Sequence, residues 1–168
     1  MMMFPRILSA AAQRKLQAHL KKGGLVAYPT ESCYGLGCVP TLPKALNQLI
    51  HLKKRPQHKG MIVIGHSLEQ LQPLLKRPSE NIQTMLHDAW PAPKTFLLPV
   101  GKKVLPSLRG KGRSKLAVRV PAHAGARRLC QVLEMPLVST SCNRAGKRAC
   151  KTEREVRRQF GRKVWVVG

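Results

Sequence analysis

Arg119 stands alone among apolar neighbours in Leu116-Ala117-Val118-Arg119-Val120. A guanidinium there needs an anionic partner or a route to water. It either grips a carboxylate or phosphate, or faces outward from a half-exposed strand. Leu52-Lys53-Lys54-Arg55-Pro56-Gln57-His58-Lys59-Gly60 sets four cations just before an apolar run. Lysine offers a point charge and arginine a planar fork, which together suit a phosphate chain; the same cluster also suits the negative end of a helix dipole. Two further segments offer hydrogen bonds. Pro136–Gly146 leads an apolar run into Ser139, Thr140, Ser141 and Asn143, good partners for a polar ligand or simply a side-chain-capped turn. Tyr28-Pro29-Thr30-Glu31-Ser32-Cys33-Tyr34-Gly35-Leu36-Gly37 is dense in hydroxyls and glycine. Such a loop brings backbone N–H groups close to a ligand, or makes an ordinary strand-to-helix turn. Phosphate-loop, dinucleotide and zinc-protease motifs are absent.

The elements that must carry these residues follow from periodicity. Ser9 predicts a helix to about Lys22, stopped by Gly23-Gly24. Leu25–Tyr28 and Met61–Ile64 read as strands, and Thr41 opens a helix with Leu42, Ala45, Leu46, Leu49 and Ile50 at helical spacing. Ser67 with Gln70 and Thr152 with Glu155 form capping boxes, Pro73 limits the first of those helices, and Ser79 caps another. Thr95–Val100, Leu116–Val120, Leu137–Thr140 and Val164–Val167 read as strands, with a helix at about 124–134. Residues 101–115 read as a mobile basic loop. The mixture predicts a layered α/β domain.

The 168 residues hold 31 Lys and Arg against 7 Asp and Glu, a formal charge of +24. With 43% apolar residues the chain can still build a core, so the charge decorates a folded surface and attracts polyanions. Two Trp, two Tyr and three Phe make a poor base-stacking platform. No apolar run spans a bilayer, so no membrane partner is expected, and Pro5 and Arg6 break any leader. Five cysteines without C-x-x-C spacing argue against disulfides and zinc, and point to a reducing, cytoplasmic setting.

Five motifs occur in one order: Pro29-Thr30-Glu31-Ser32 with Tyr34-Gly35-Leu36, Lys53-x-Arg55-Pro56, Trp90-Pro91-x-Pro93-x-Thr95, Val118-Arg119-x-Pro121, and Ser139-Thr140-Ser141-x-Asn143-x-x-Gly146. In this order they resemble the YrdC/TsaC family, the threonylcarbamoyl-AMP synthases, and Lys59-Gly60-Met61-Ile62-Val63 is similar to its short bacterial branch. The resemblance implies a single YrdC-like domain over 1–168: a twisted mixed sheet flanked by helices around a positively charged cavity. It also implies synthesis of threonylcarbamoyl-AMP and pyrophosphate from L-threonine, bicarbonate and ATP. A downstream transferase complex then modifies the adenosine beside the anticodon in tRNAs reading codons that start with adenine.

Residue by residue, the resemblance puts catalysis and ATP binding on Lys53, Arg55, Ser141 and Asn143, with Lys59 a further nucleotide contact. Threonine falls to Ser32 with Thr30 beside it, to Arg119, and to Ser139 through its backbone. Mg²⁺ is expected to arrive with ATP, with no protein-bound metal. Ala92 and Ala145 stand where the family usually has glycine and serine. Members continue past a sequence like Val164–Gly168 into a segment that helps close the site, so this form is expected to fold and turn over poorly. Two rivals remain: a non-catalytic module binding tRNA or double-stranded RNA, which accounts for the charge alone, and a carbamoyl-transfer domain of the hydrogenase-maturation type, normally part of a much longer chain.

Overall fold

A computed structural model describes residues 8–30, 33–56 and 58–168. Helix α1 (Ala10–Lys21) begins at Ser9, whose Oγ accepts from the Ala12 N–H at 3.1 Å. It ends where Gly23 takes φ +93°, a left-handed value that glycine adopts without a Cβ clash. Strands β1 (Leu25–Pro29) and β2 (Tyr34–Gly37) follow as an antiparallel pair. Helix α2 (Pro43–Lys53) leads to β3 (Ile62–Ile64) and the short α3 (Leu68–Leu71). That helix tightens to a 3₁₀ turn at Gln72–Leu74, where Pro73 lacks the N–H an α-helical bond requires. Next come α4 (Glu80–Ala89), β4 (Phe96–Pro99), α5 (Pro106–Arg109), β5 (Lys115–Arg119), α6 (Ala124–Leu133), β6 (Leu137–Ser141), α7 (Glu153–Phe160) and β7 (Val164–Val166).

Four features depart from the sequence reading. The segment after Tyr28 is half strand, since Tyr34–Gly37 pairs with both β1 and β6. Thr41 does not open α2; Leu42 occupies the cap without a side-chain bond, and Pro43 starts the first turn with its preset φ. The stretch 101–115 is not a free loop, because Leu108 is fully buried within α5 and Val104 nearly so. In both capping boxes the acceptor reaches one residue further back: Gln70 Oε1 takes the His66 N–H at 2.8 Å, and Glu155 Oε2 takes the Lys151 N–H at 2.7 Å.

The strands form one seven-stranded mixed sheet in the order β4-β5-β3-β6-β2-β1-β7. Register decides which residues share a face, because side chains alternate along each strand. Ile62 pairs with Ala117 and Ser139, Ile64 with Arg119, Gly35 with Ser141 and Tyr28. One face therefore presents Arg119, Ile62, Ile64, Ser139, Ser141, Gly35 and Tyr28. The other presents Leu25, Ala27, Leu36, Val63, Leu116, Val118 and Val138, which join the larger core with residues of α2, α3, α4 and α7. Fully burying a leucine stabilises by about 1.5–3 kcal/mol, so this layer anchors the sheet. On the first face α1 and α6 cover only part, around Leu16, Leu20, Val26, Ala126, Leu129 and Leu133. The remainder of that face stays open as a cavity.

Candidate active site in the open sheet face

The cavity measures about 380 Å³. It is lined by Tyr28, Thr30, Arg55, Arg119, Ser139 and Ser141, among others, and none of its described lining residues is acidic. Five of the nine candidate residues thus converge on one space, although they lie on four separate stretches of chain. Lys53 and Asn143 join it through Ser141. Lys53 Nζ donates to the Ser141 carbonyl at 2.9 Å, to Ser141 Oγ at 3.2 Å, to the Asn143 carbonyl at 3.2 Å and to Asn143 Oδ1. Ser141 Oγ also donates to Asn143 Oδ1 at 2.8 Å. Lys59 is exposed and does not line the cavity. Ser32 lies outside the described residues.

Local structure explains the cationic corner. Lys53 is the last residue of α2, and Lys54 turns the chain with a left-handed φ of 45°, closing the helix through Lys54 N–H to His51 O and Arg55 N–H to Ile50 O. Burial and the neighbouring Arg55 charge lower the Lys53 ammonium pKa from its ordinary value. Arg55 folds onto the Gly60 carbonyl, which accepts from Nε at 3.2 Å and Nη2 at 2.8 Å. Helix α5 supports this loop from behind. Met61 N–H donates to Leu108 O at 2.9 Å, and a Cβ on Gly60 would lie 2.6 Å from Arg109 O. The basic segment 101–115 is thus the buttress of the Arg55 loop, a role invisible in its composition.

Arg119 is placed by strand register on the cavity face. Its Nε donates to Thr95 Oγ1 at 2.8 Å, and its terminal nitrogens have no protein partner among the described residues. The turn holding Thr95 is pinned by Trp90, whose Nε1 donates to Lys94 O at 2.8 Å and whose ring meets Phe96 edge-on at 5.4 Å. Ala92 N–H donates to Val120 O at 3.1 Å, so the turn rides on β5. A planar fork held by one nitrogen and open at the others suits a carboxylate or phosphate.

Four contributors had no specific role attached in the sequence reading. Thr95 lay in a quoted motif with no role attached. Tyr28 lines the cavity and donates to Ser139 Oγ at 2.5 Å. His123 lines it as the cap of α6, its Nδ1 accepting from Ala126 N–H at 3.1 Å. Thr140 adds a hydroxyl beside Ser139. A run of polar residues next to a strand was the only available signal for Thr140; the others depend on pairing across the sheet. Thr30 Oγ1 is engaged with the Cys33 carbonyl across the hairpin. Burial pushes the Cys38 and Cys130 thiols up to about 12, and Cys142 higher still, so these three are packing residues rather than nucleophiles.

Two guanidinium groups, a half-buried lysine, several hydroxyls and an asparagine around one cavity are suited to holding and positioning an anionic ligand. A family model described as "Telomere recombination" (Sua5/YciO/YrdC) matches residues 18–167. Threonylcarbamoyl-AMP synthase of Neisseria gonorrhoeae is 80% identical over 167 residues, covering 99% of this chain and 88% of that protein. The Laribacter hongkongensis protein of the same name is 49% identical over 162 residues, covering 96% and 86%. Among solved structures, P. abyssi Sua5 complexed with L-threonine superposes with a TM-score of 0.82 at 30% identity, over 97% of this chain and 48% of that one. The chain therefore spans about half of that Sua5 chain. E. coli YciO shares the fold, with a TM-score of 0.78 at 23% identity over 98% of this chain and 81% of that one. By the family match, the high-identity relatives and the shared sheet, the chain belongs to the Sua5/YciO/YrdC family.

Proposed function

We propose that the protein is a nucleotidyltransferase forming threonylcarbamoyl-AMP from L-threonine, bicarbonate and ATP. The carrying observation is Lys53, tied to Ser141 and Asn143 beside a cavity that also receives Arg55 and Arg119. The threonine amine and bicarbonate give a carbamate and water. A carbamate oxygen then bonds to the α-phosphorus while the bond to the β-phosphate oxygen breaks, releasing pyrophosphate. No protein nucleophile takes part, so catalysis is positioning plus charge neutralisation. Lys53 and Arg55 offset charge on the triphosphate, Ser141 and Asn143 orient nucleotide or carbamate, and Arg119, Ser139 and Thr30 receive the amino acid.

Mg²⁺ enters this reading as part of the substrate MgATP. The described lining offers arginines and hydroxyls and no carboxylate, so the ion keeps phosphate and water ligands. The product passes to a transferase complex acting on the adenosine next to the anticodon, in the cytoplasm, a reducing setting that suits cysteines not joined in disulfides. No helix among the described residues is long and apolar enough to cross a membrane. A charge of +24 supports a second role, electrostatic contact with tRNA or double-stranded RNA. Incubation with ATP, bicarbonate and labelled threonine tests the main reading. An AMP-linked threonine product, lost when bicarbonate is withheld, is expected; its absence with all substrates present overturns the reading.

A further inference from the structure

Tyr28 and Ser139 lie 111 residues apart in sequence and meet on the cavity wall, Tyr28 Oη donating to Ser139 Oγ at 2.5 Å. The tyrosine ring is 2% exposed and packs in the cluster of Leu16, Leu20, Ile64 and Leu137. Two glycines of β2 make room for it. A Cβ on Gly35 would lie 2.8 Å from the ring Cζ and 3.0 Å from the hydroxyl, and one on Gly37 would lie 3.3 Å from Cε1. The ring has one position, and its hydroxyl points at one serine.

A buried phenol must place its proton on an acceptor. Burial pushes the Tyr28 pKa well above its ordinary value, so the group stays a donor throughout the working range. Ser139 Oγ is the acceptor that the structure supplies. A serine hydroxyl that accepts from one side turns its single proton elsewhere, and the open side of Ser139 is the cavity.

We propose that Tyr28 is a positioning residue for amino-acid binding: by donating to Ser139 Oγ it directs the serine proton into the cavity, toward an acceptor oxygen of the amino-acid substrate. This rests on the cavity being the threonylcarbamoyl-AMP site. Tyr28 makes the serine a fixed donor, matched to a carboxylate or carbonyl oxygen and mismatched to an ammonium. In Tyr28→Phe the ring still fills its slot, and the serine hydroxyl loses its orientation.

The test compares the unaltered protein with Tyr28→Phe, Ser139→Ala and the double variant. Threonine affinity is measured directly by calorimetry, and KM for threonine and ATP by pyrophosphate release. One neutral hydrogen bond corresponds to an affinity loss of about three- to tenfold. The expected result is a loss of that size for threonine in Tyr28→Phe, with KM for ATP unchanged. The double variant should be no worse than Ser139→Ala, since Tyr28 acts only through Ser139. Unchanged threonine affinity in Tyr28→Phe, equal effects on both substrates, or losses that multiply in the double variant each overturn the proposal. Threonine binding with the expected pattern but no AMP-linked product supports the Tyr28 role and sinks the synthase reading. No threonine binding by the unaltered protein overturns both.

Discussion

Lys53 Nζ sits 2.9 Å from the carbonyl oxygen of Ser141, a residue 88 positions further along the chain. One ammonium thereby closes the end of α2 onto the exit of β6, holding the Ser141–Asn143 turn by four contacts. The lysine is both a charge at the site and the fastener of the turn that carries two other site residues.

Lys53→Met removes charge and fastener together. A charge-assisted hydrogen bond contributes about 1.5–3 kcal/mol, so kcat/KM for ATP should fall at least about tenfold. Pyrophosphate release measures this, and an unchanged circular dichroism spectrum shows that the sheet persists. A variant with unaltered kcat/KM would remove Lys53 from the mechanism.

The lowered Lys53 pKa gives a pH dependence of definite sign. Activity that needs the ammonium falls as pH rises through the lowered value, earlier than for an ordinary lysine at 10.5. Between the lowered folded value and the unfolded one, the unfolded chain holds more protons, so the Lys53 contribution to stability rises with pH. Activity and this contribution move in opposite directions over one window. In pH–rate profiles the alkaline limb should be missing from the residual activity of Lys53→Arg, and a limb unchanged in that variant would assign it to another group.

Arg119→Lys keeps the charge and removes the fork that binds Thr95 through Nε and leaves its terminal nitrogens at the cavity. KM for threonine is expected to rise more than KM for ATP, by about tenfold for a lost charge-assisted bond. A selective ATP defect in steady-state kinetics contradicts the assignment of Arg119 to the amino-acid carboxylate.

Gly37→Ala tests the packing of β2 against β6. The added Cβ would lie 2.5 Å from the Val138 carbonyl oxygen, a backbone atom that cannot swing aside. Overpacking of this kind costs about 1–3 kcal/mol, so the thermal midpoint should drop by several degrees in a melting experiment. A midpoint equal to that of the unaltered protein shows that the two strands separate without cost.

RNA affinity, where it exists, should be mostly electrostatic. With +24 and few aromatic residues, binding to transfer RNA should weaken steeply between low and physiological salt, and sequence should matter little. Gel-shift titrations across salt concentrations check this, and salt-insensitive, sequence-selective binding contradicts it.

Much of this architecture was legible along the chain. Ser9, Ser79 and Thr152 cap the helices they announce, because a hydroxyl satisfying an N-terminal amide is a local event. Short apolar runs marked β5 and β6 as strands, and five short motifs in order pointed to the family and to candidate residues, five of which line the cavity. Tertiary pairing decided the rest. Tyr34–Gly37 carries two glycines and so lacks a strand's usual composition; it is a strand because β1 and β6 both offer it hydrogen bonds. Pro106–Arg109 looks like basic loop until Leu108 is buried and its carbonyl meets Met61. The Arg119 side chain had two possible directions in sequence; the pairing of Ile64 with Arg119 in β3 and β5 puts it on the open face. The Tyr28–Ser139 bond spans 111 residues and needs β1, β2 and β6 aligned side by side. Residue types set the chemistry available to this chain. Sheet register, which depends on contacts remote in sequence, determined which of those groups face one another.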